Sequence, residues 1–299
     1  MTMLDLIANN STVLIVLSIV LGLLVGSFLN VVIYRVPVML QRDWRQQCCE
    51  FLELDEKKFS KDDPTAKHKI FNLVKPDSHC PQCNAPVRAW QNIPILSYVL
   101  LRGKCAGCQK PISMRYPIIE LVTGLLSGVV AWQFGATWLA LAFLVLTWSL
   151  ISLTMIDFDH QLLPDNITLP LLWLGLLVNA LLPGTTVSAA DAVLGAIIGY
   201  MSLWSLYWVF KMLTGKEGMG YGDFKLLAAL GAWMGWQSLL LIVILSSLVG
   251  AIVGIALLLL RGRDRNIPIP FGPYLAGAGF IAMLWGDALN RLYVSSMLG

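Results

Sequence analysis

Residues 138–165 read WLALAFLVLTWSLISLTMIDFDHQLLPD. The stretch 138–156 carries no charge, and as a helix rising 1.5 Å per residue it crosses most of a ~30 Å hydrocarbon layer. Three carboxylates then follow closely: Asp157, Asp159 and Asp165. Acidic side chains beside hydrocarbon are costly, so each one asks for a reason.

The same texture runs through the chain. Of its 299 residues 57% are hydrophobic and only 13% charged, with a mean hydropathy of +0.71, more apolar surface than a soluble core can hide. Further apolar runs occupy 12–34, 118–134, 167–182, 189–210 and 237–260, and weaker ones 224–236 and 272–290. The expected fold is an all-α polytopic membrane protein of about eight transmembrane helices, with a cytoplasmic zinc-ribbon-like domain inserted after the first. Nothing basic precedes the first run, so it reads as a retained span and not as a secretory signal. Eight crossings put 35–117, 157–166, 211–225 and 261–271 on one side, and every Lys and Arg except Arg291 falls there. Loops rich in Lys and Arg face the cytoplasm. The site then faces the cytoplasm and both termini face outward. The net charge of +3 is a topology signal, not a nucleic-acid footprint.

Three regions follow: 1–37, a first transmembrane helix with a periplasmic N-terminus; 38–116, a cytoplasmic domain; and 117–299, a membrane domain. In the second, the run Glu53-Leu54-Asp55-Glu56-Lys57-Lys58 reads as a solvated face. There is no low-complexity tract and no repeat of solenoid length. Gly250 and Gly254 form a small-xxx-small pair that permits close helix packing.

Four of the six cysteines form two knuckles, Cys80-Pro81-Gln82-Cys83 and Cys105-Ala106-Gly107-Cys108, 21 residues apart. This spacing lets four thiolates reach one tetrahedral Zn²⁺ and leaves it no open position, so the ion would fold the domain and take no part in hydrolysis. Disulfides are the competing reading, disfavoured in a reducing compartment. Cys48 and Cys49 stand outside the pattern and are expected to be unpaired thiols.

A second border carboxylate, Asp223, follows the apolar run 189–210 in the loop Gly218-Met219-Gly220-Tyr221-Gly222-Asp223-Phe224-Lys225 and opens the next helix. Two carboxylates far apart in sequence, Asp157 and Asp223, are therefore expected at one depth. Aspartyl proteolysis needs such a pair, one member acting as base for water and the other as acid for the substrate. Gly220 and Gly222 are expected to free the backbone for unusual conformations and for approach to a bound peptide, and Lys225 joins them as a candidate substrate contact. The plainer readings are a helix N-terminal charge for Asp223 and a hydrated interfacial residue for Asp157. HExxH and GxSxG are absent, and the only histidines are His68, His79 and His160. His79 reads as a neighbour of the metal site, and His160 as a candidate to orient the Asp157 loop.

Gly220-Tyr221-Gly222-Asp223 resembles the GxGD signature of aspartyl proteases that work in membranes. The resemblance extends from Gly26-Ser27-Phe28-Leu29-Asn30 through Arg35-Val36-Pro37, the tetracysteine segment and Arg115-Tyr116-Pro117-Ile118-Ile119-Glu120 to both Asp motifs. Nearly the whole chain looks like a bacterial type IV prepilin peptidase. This resemblance implies that Asp157 and Asp223 are catalytic. It implies as substrates type IV prepilins and type II secretion pseudopilins, whose short basic leader is cut before an apolar helix at the inner membrane. It also implies N-methylation of the new amino terminus with S-adenosylmethionine, for which the sequence shows no Rossmann-type glycine loop. The stretch 26–37 and the cysteine domain are candidates for that activity.

Two other classes remain to be set against this. A non-enzymatic membrane scaffold would use the ribbon to dock a partner and would tolerate loss of either Asp. A proton-coupled transporter expects carboxylates in mid-span, where the chain has almost none; Glu120 lies near a cytoplasmic end.

Overall fold

The computed structural model describes residues 10–54, 70–185, 187–216, 218–261 and 270–298. It is all-helical apart from two isolated bridges, and no strand occurs among the described residues. The chain divides into two compact units, Thr12–Val129 and a second built on the residues from Val130 onward.

The first unit opens with α1, Ser11–Phe51. At 1.5 Å per residue it is about 60 Å long, twice the hydrocarbon thickness, so the span expected over 12–34 is only its first half. Pro37, where the sequence suggests a boundary, lies inside the helix. There Arg35 is buried with its charge met by carbonyls: its guanidinium donates to Asn72 O at 2.8 Å and Pro76 O at 2.6 Å and lies 5.7 Å from the Phe71 ring. Such partners offset the hydration a buried cation loses. The charge run at 53–58 lies, beyond Leu54, outside the described residues. A short 3₁₀ turn, Ala89–Asn92, precedes α2, Leu96–Leu100, and α3, Arg115–Phe134, follows.

The second unit holds α4 (Trp138–His160), α5 (Asp165–Leu181), α6 (Ala189–Thr214), α7 (Tyr221–Met234), α8 (Leu239–Arg261) and α9 (Gly272–Leu298). Each apolar run thus has its helix. By length and composition, five of the described helical segments can cross a membrane: α1, α3, α4, α6 and the segment Trp236–Leu260.

The weakest run became the centre of this unit. All residues of α7 from Phe224 to Met234 except Lys225 are buried, although the helix is only about 21 Å long. A helix wrapped in protein need not match the bilayer. Its small residues lower its hydropathy but let neighbours come close: a Cβ on Gly231 would overlap the Gly195 backbone of α6. Polar anchors fix it to α5, where Asn179 Nδ2 donates to Ala232 O and Trp233 O at 2.9 and 3.0 Å. The indole of Trp233 in turn donates to Leu171 O at 2.9 Å. In lipid, close packing and such bonds hold helices together, because apolar burial gives no gain between helices already in hydrocarbon.

Candidate active site and metal centre

α4 ends where Gln161 turns into the left-handed region (φ 53°, ψ 42°) and closes on Asp157 O. Asp157 is the last buried residue of this helix. Its Oδ2 accepts the Gly272 N–H at 3.0 Å, so the carboxylate caps the start of α9, where helix N-H groups favour negative charge. No side chain fits at 272: a Cβ there would stand 2.6 Å from Asp157 Oδ2. Sequence reasoning missed this residue, whose one signal is its place in Pro270-Phe271-Gly272-Pro273 at a helix start.

Asp223 sits in the first turn of α7, buried, its N–H bonded to Gly220 O at 3.2 Å. The two carboxylates are close enough for their charges to repel each other. Leu163 bridges the two segments, because Cβ atoms built on Gly222 and on Gly272 would both strike its side chain. Among the described residues, Asp223 Oδ1 is the buried side-chain oxygen or nitrogen with no hydrogen-bond partner. A buried orphan acceptor costs about 1–3 kcal/mol unless something occupies it.

The glycines act differently from the sequence expectation. Gly220 has an ordinary extended conformation (φ −83°, ψ 148°) and Gly222 is helical; Gly222 supplies room for Leu163, not unusual backbone angles. Lys225 turns to Asp165 at the start of α5, with Nζ 2.7 and 2.8 Å from its two oxygens. His160 is exposed in the last turn of α4, Asp159 is exposed, and His68 lies outside the described residues.

In the first unit the four cysteines converge, with all sulfurs within 4.8 Å of one another. Cys80 and Cys108 are 3.9 Å apart, Cys83 and Cys105 4.0 Å. Four sulfurs 2.3 Å from a tetrahedral ion would be about 3.8 Å apart, so the thiols fit a metal. The knuckles repeat each other: Cys80 N–H bonds Ala85 O and Cys105 N–H bonds Lys110 O, both at 2.9 Å. Asn84 and Gln109 take matching positive φ angles of 56° and 58°, and the bridges His79–Pro86 and Lys104–Pro111 close each turn. This eight-residue repeat, 79–86 and 104–111, extends each CxxC knuckle of the sequence to the amide residue and the proline that follow it. The amides of Cys83 and Gln82 hold the Cys80 thiol down to about 6. Cys83, although lowered by Ala85, is pushed up to about 11 by burial and the surrounding sulfurs. Four sulfurs at these distances match the donor set of a bound cation. His79 faces Asp77 O through Nδ1. Cys48 is exposed and Cys49 buried, both as free thiols.

Comparison with known proteins agrees with this division. Residues 20–134 match the bacterial peptidase A24 N-terminal domain and residues 144–255 the type IV leader peptidase family. A protein of Stutzerimonas stutzeri named prepilin leader peptidase/N-methyltransferase is 55% identical over 98% of both chains. Proteins of the same name from Pseudomonas aeruginosa and Aeromonas hydrophila are 54% identical over 98% of both chains and 57% identical over 93% of this chain and 92% of that one. No solved structure matches the chain. The chain belongs to the type IV leader peptidase family.

Proposed function

We propose that this protein cuts the leader from prepilins and pseudopilins at the cytoplasmic face of the inner membrane and then N-methylates the new amino terminus. The buried pair Asp157 and Asp223, with its one unpartnered oxygen, carries this reading. A scaffold gives no reason to bury two carboxylates at separate helix ends. In the reaction one carboxylate takes a proton from water as the water attacks the scissile carbonyl, and the other gives its proton to the departing nitrogen. The Gly272 N–H and the start of α9 hold Asp157 in place, and the Lys225–Asp165 pair ties the start of α7 to that of α5. Gly220 and Gly222 are the nearest backbone for a substrate strand, with Lys225 at its rim. The eight helices other than the short α2 are read as eight spans, and 38–116 as a cytoplasmic region whose cysteines bind a structural Zn²⁺. S-adenosylmethionine supplies the methyl group when bound.

Incubating the purified protein with a prepilin, with and without S-adenosylmethionine, and weighing the product tests this. Loss of the leader, plus one methyl group only when the donor is present, is expected. An intact precursor under both conditions contradicts the proposal.

Gly272→Ala should lower cleavage roughly 100-fold, the scale of an ångström's misplacement of a catalytic group. Gly277→Ala in the same helix meets nothing within 4 Å and serves as the control. Equal cleavage by both variants, measured as leader release, would remove Gly272 from the site.

A further inference from the structure

Among the described residues three carboxylates are buried: Asp157, Asp223 and Glu120. The first two belong to the proposed peptidase site. Glu120 lies in the other unit, in the second turn of α3, and nothing so far uses it.

Around it two sequence motifs meet. Gly26 of α1 approaches so closely that a Cβ on it would stand 2.8 Å from Glu120 Cα. Ser27 lies close to the Glu120 carboxylate, and its Oγ donates to Asn92 O at 3.5 Å. Asn30 Nδ2 reaches Gly26 O and Tyr116 O at 3.2 and 3.3 Å. Glu120 Oε2 accepts the N–H of Ile95 at 2.8 Å. Ile95 has φ 57° and ψ −48°, a conformation a β-branched residue keeps only when its surroundings impose it. The same turn carries Ile93 and Leu96, 44% and 52% exposed, and Asn92 is exposed too. The result is a buried carboxylate, held by one backbone N–H, beside a turn that exposes apolar side chains.

The geometry points to Glu120 as the residue that receives the free amino terminus of the cleaved substrate for methyl transfer, a primary ammonium group on an apolar residue. This rests on the proposed N-methylation. An ammonium group has three donors and no acceptor, so a buried carboxylate beside an exposed turn suits it. The charge also serves the reaction. Glu120 takes one proton from the ammonium, and the freed nitrogen lone pair forms the bond to the methyl carbon as the carbon–sulfur bond of the sulfonium donor breaks, its electron pair going to sulfur. The secondary amine leaves as its ammonium ion, and Glu120 releases its proton to water.

The test compares two peptides that begin as the mature substrate does, one with a free amino terminus and one N-acetylated, binding to the full-length protein without methyl donor. Wild type should prefer the free amine roughly tenfold or more, the scale of a charge-assisted bond. Glu120→Gln keeps an acceptor for Ile95 N–H but removes the charge. Its preference should vanish and its methyl transfer fail, while cleavage of precursor persists and shows that the protein is folded. Glu120→Asp, which keeps the charge, should retain part of the preference. No preference in wild type, or an equal preference in Glu120→Gln, overturns the assignment and leaves Glu120 as a clamp on the 92–96 turn. Loss of cleavage or methylation by wild type itself would count against the proposed function instead.

Discussion

Asp157→Asn and Asp223→Asn should each lower leader cleavage by at least about 10³-fold, as expected when one member of an acid–base pair is removed, with the protein still inserted in the membrane. Asparagine nearly matches aspartate in shape, so the Gly272 N–H still finds an acceptor at 157 and the loss falls on proton transfer. Asp159→Asn should be mild, for that residue is exposed. Asp165→Asn should be intermediate, because it weakens the bond to Lys225 without touching the pair. Rates of leader release from one precursor, measured for all four variants, check the ranking. The pH profile carries the same signature. Cleavage needs one carboxyl charged and one protonated, so it should fall on the acid side when both are protonated and on the alkaline side when both are ionised. A flat alkaline limb would show that no protonated carboxyl is needed.

Loss of metal should separate the two activities. Wild type should carry about one zinc per chain, and replacing Cys80, Cys83, Cys105 and Cys108 by Ser should remove it, as elemental analysis will show. The domain around 80–108 has no strand and little apolar core among its described residues, so a bound ion would supply much of its folding free energy. The proposed catalytic carboxylates sit in the other unit, on helices whose backbone bonds are internal. Methyl transfer should therefore fall below detection while cleavage persists. Equal loss of both in a protein that is still inserted contradicts two separate sites.

The sequence made the helices legible wherever lipid selects residues by hydropathy alone, as in α4 or α8. It was misleading where protein surrounds a helix. α7 reads as a weak span because Gly and Ala replace larger apolar residues for close packing, yet it is the most buried helix described. α1 runs past Pro37 because the 70–78 segment covers that turn and takes up Arg35, a contact with no local signal. The proposed site stood out in the sequence by its charged atoms, since Asp157, Asp223 and the cysteines are expensive where they stand. Gly272 and Leu163 were not, because their contribution is a backbone N–H and a shape. Glu120 was visible as a border carboxylate, but only the fold brings Ser27 and Ile95 to it.

The central claim is that Asp157 and Asp223 act as one unit. It is tested most directly by leader-release rates of the two single Asn variants and the double variant on the same precursor. Groups that share one reaction step are not additive. The double variant should be no slower than the slower single, each having already lost the whole effect. Multiplying losses, or a single variant that still cleaves at the wild-type rate, would contradict the pair.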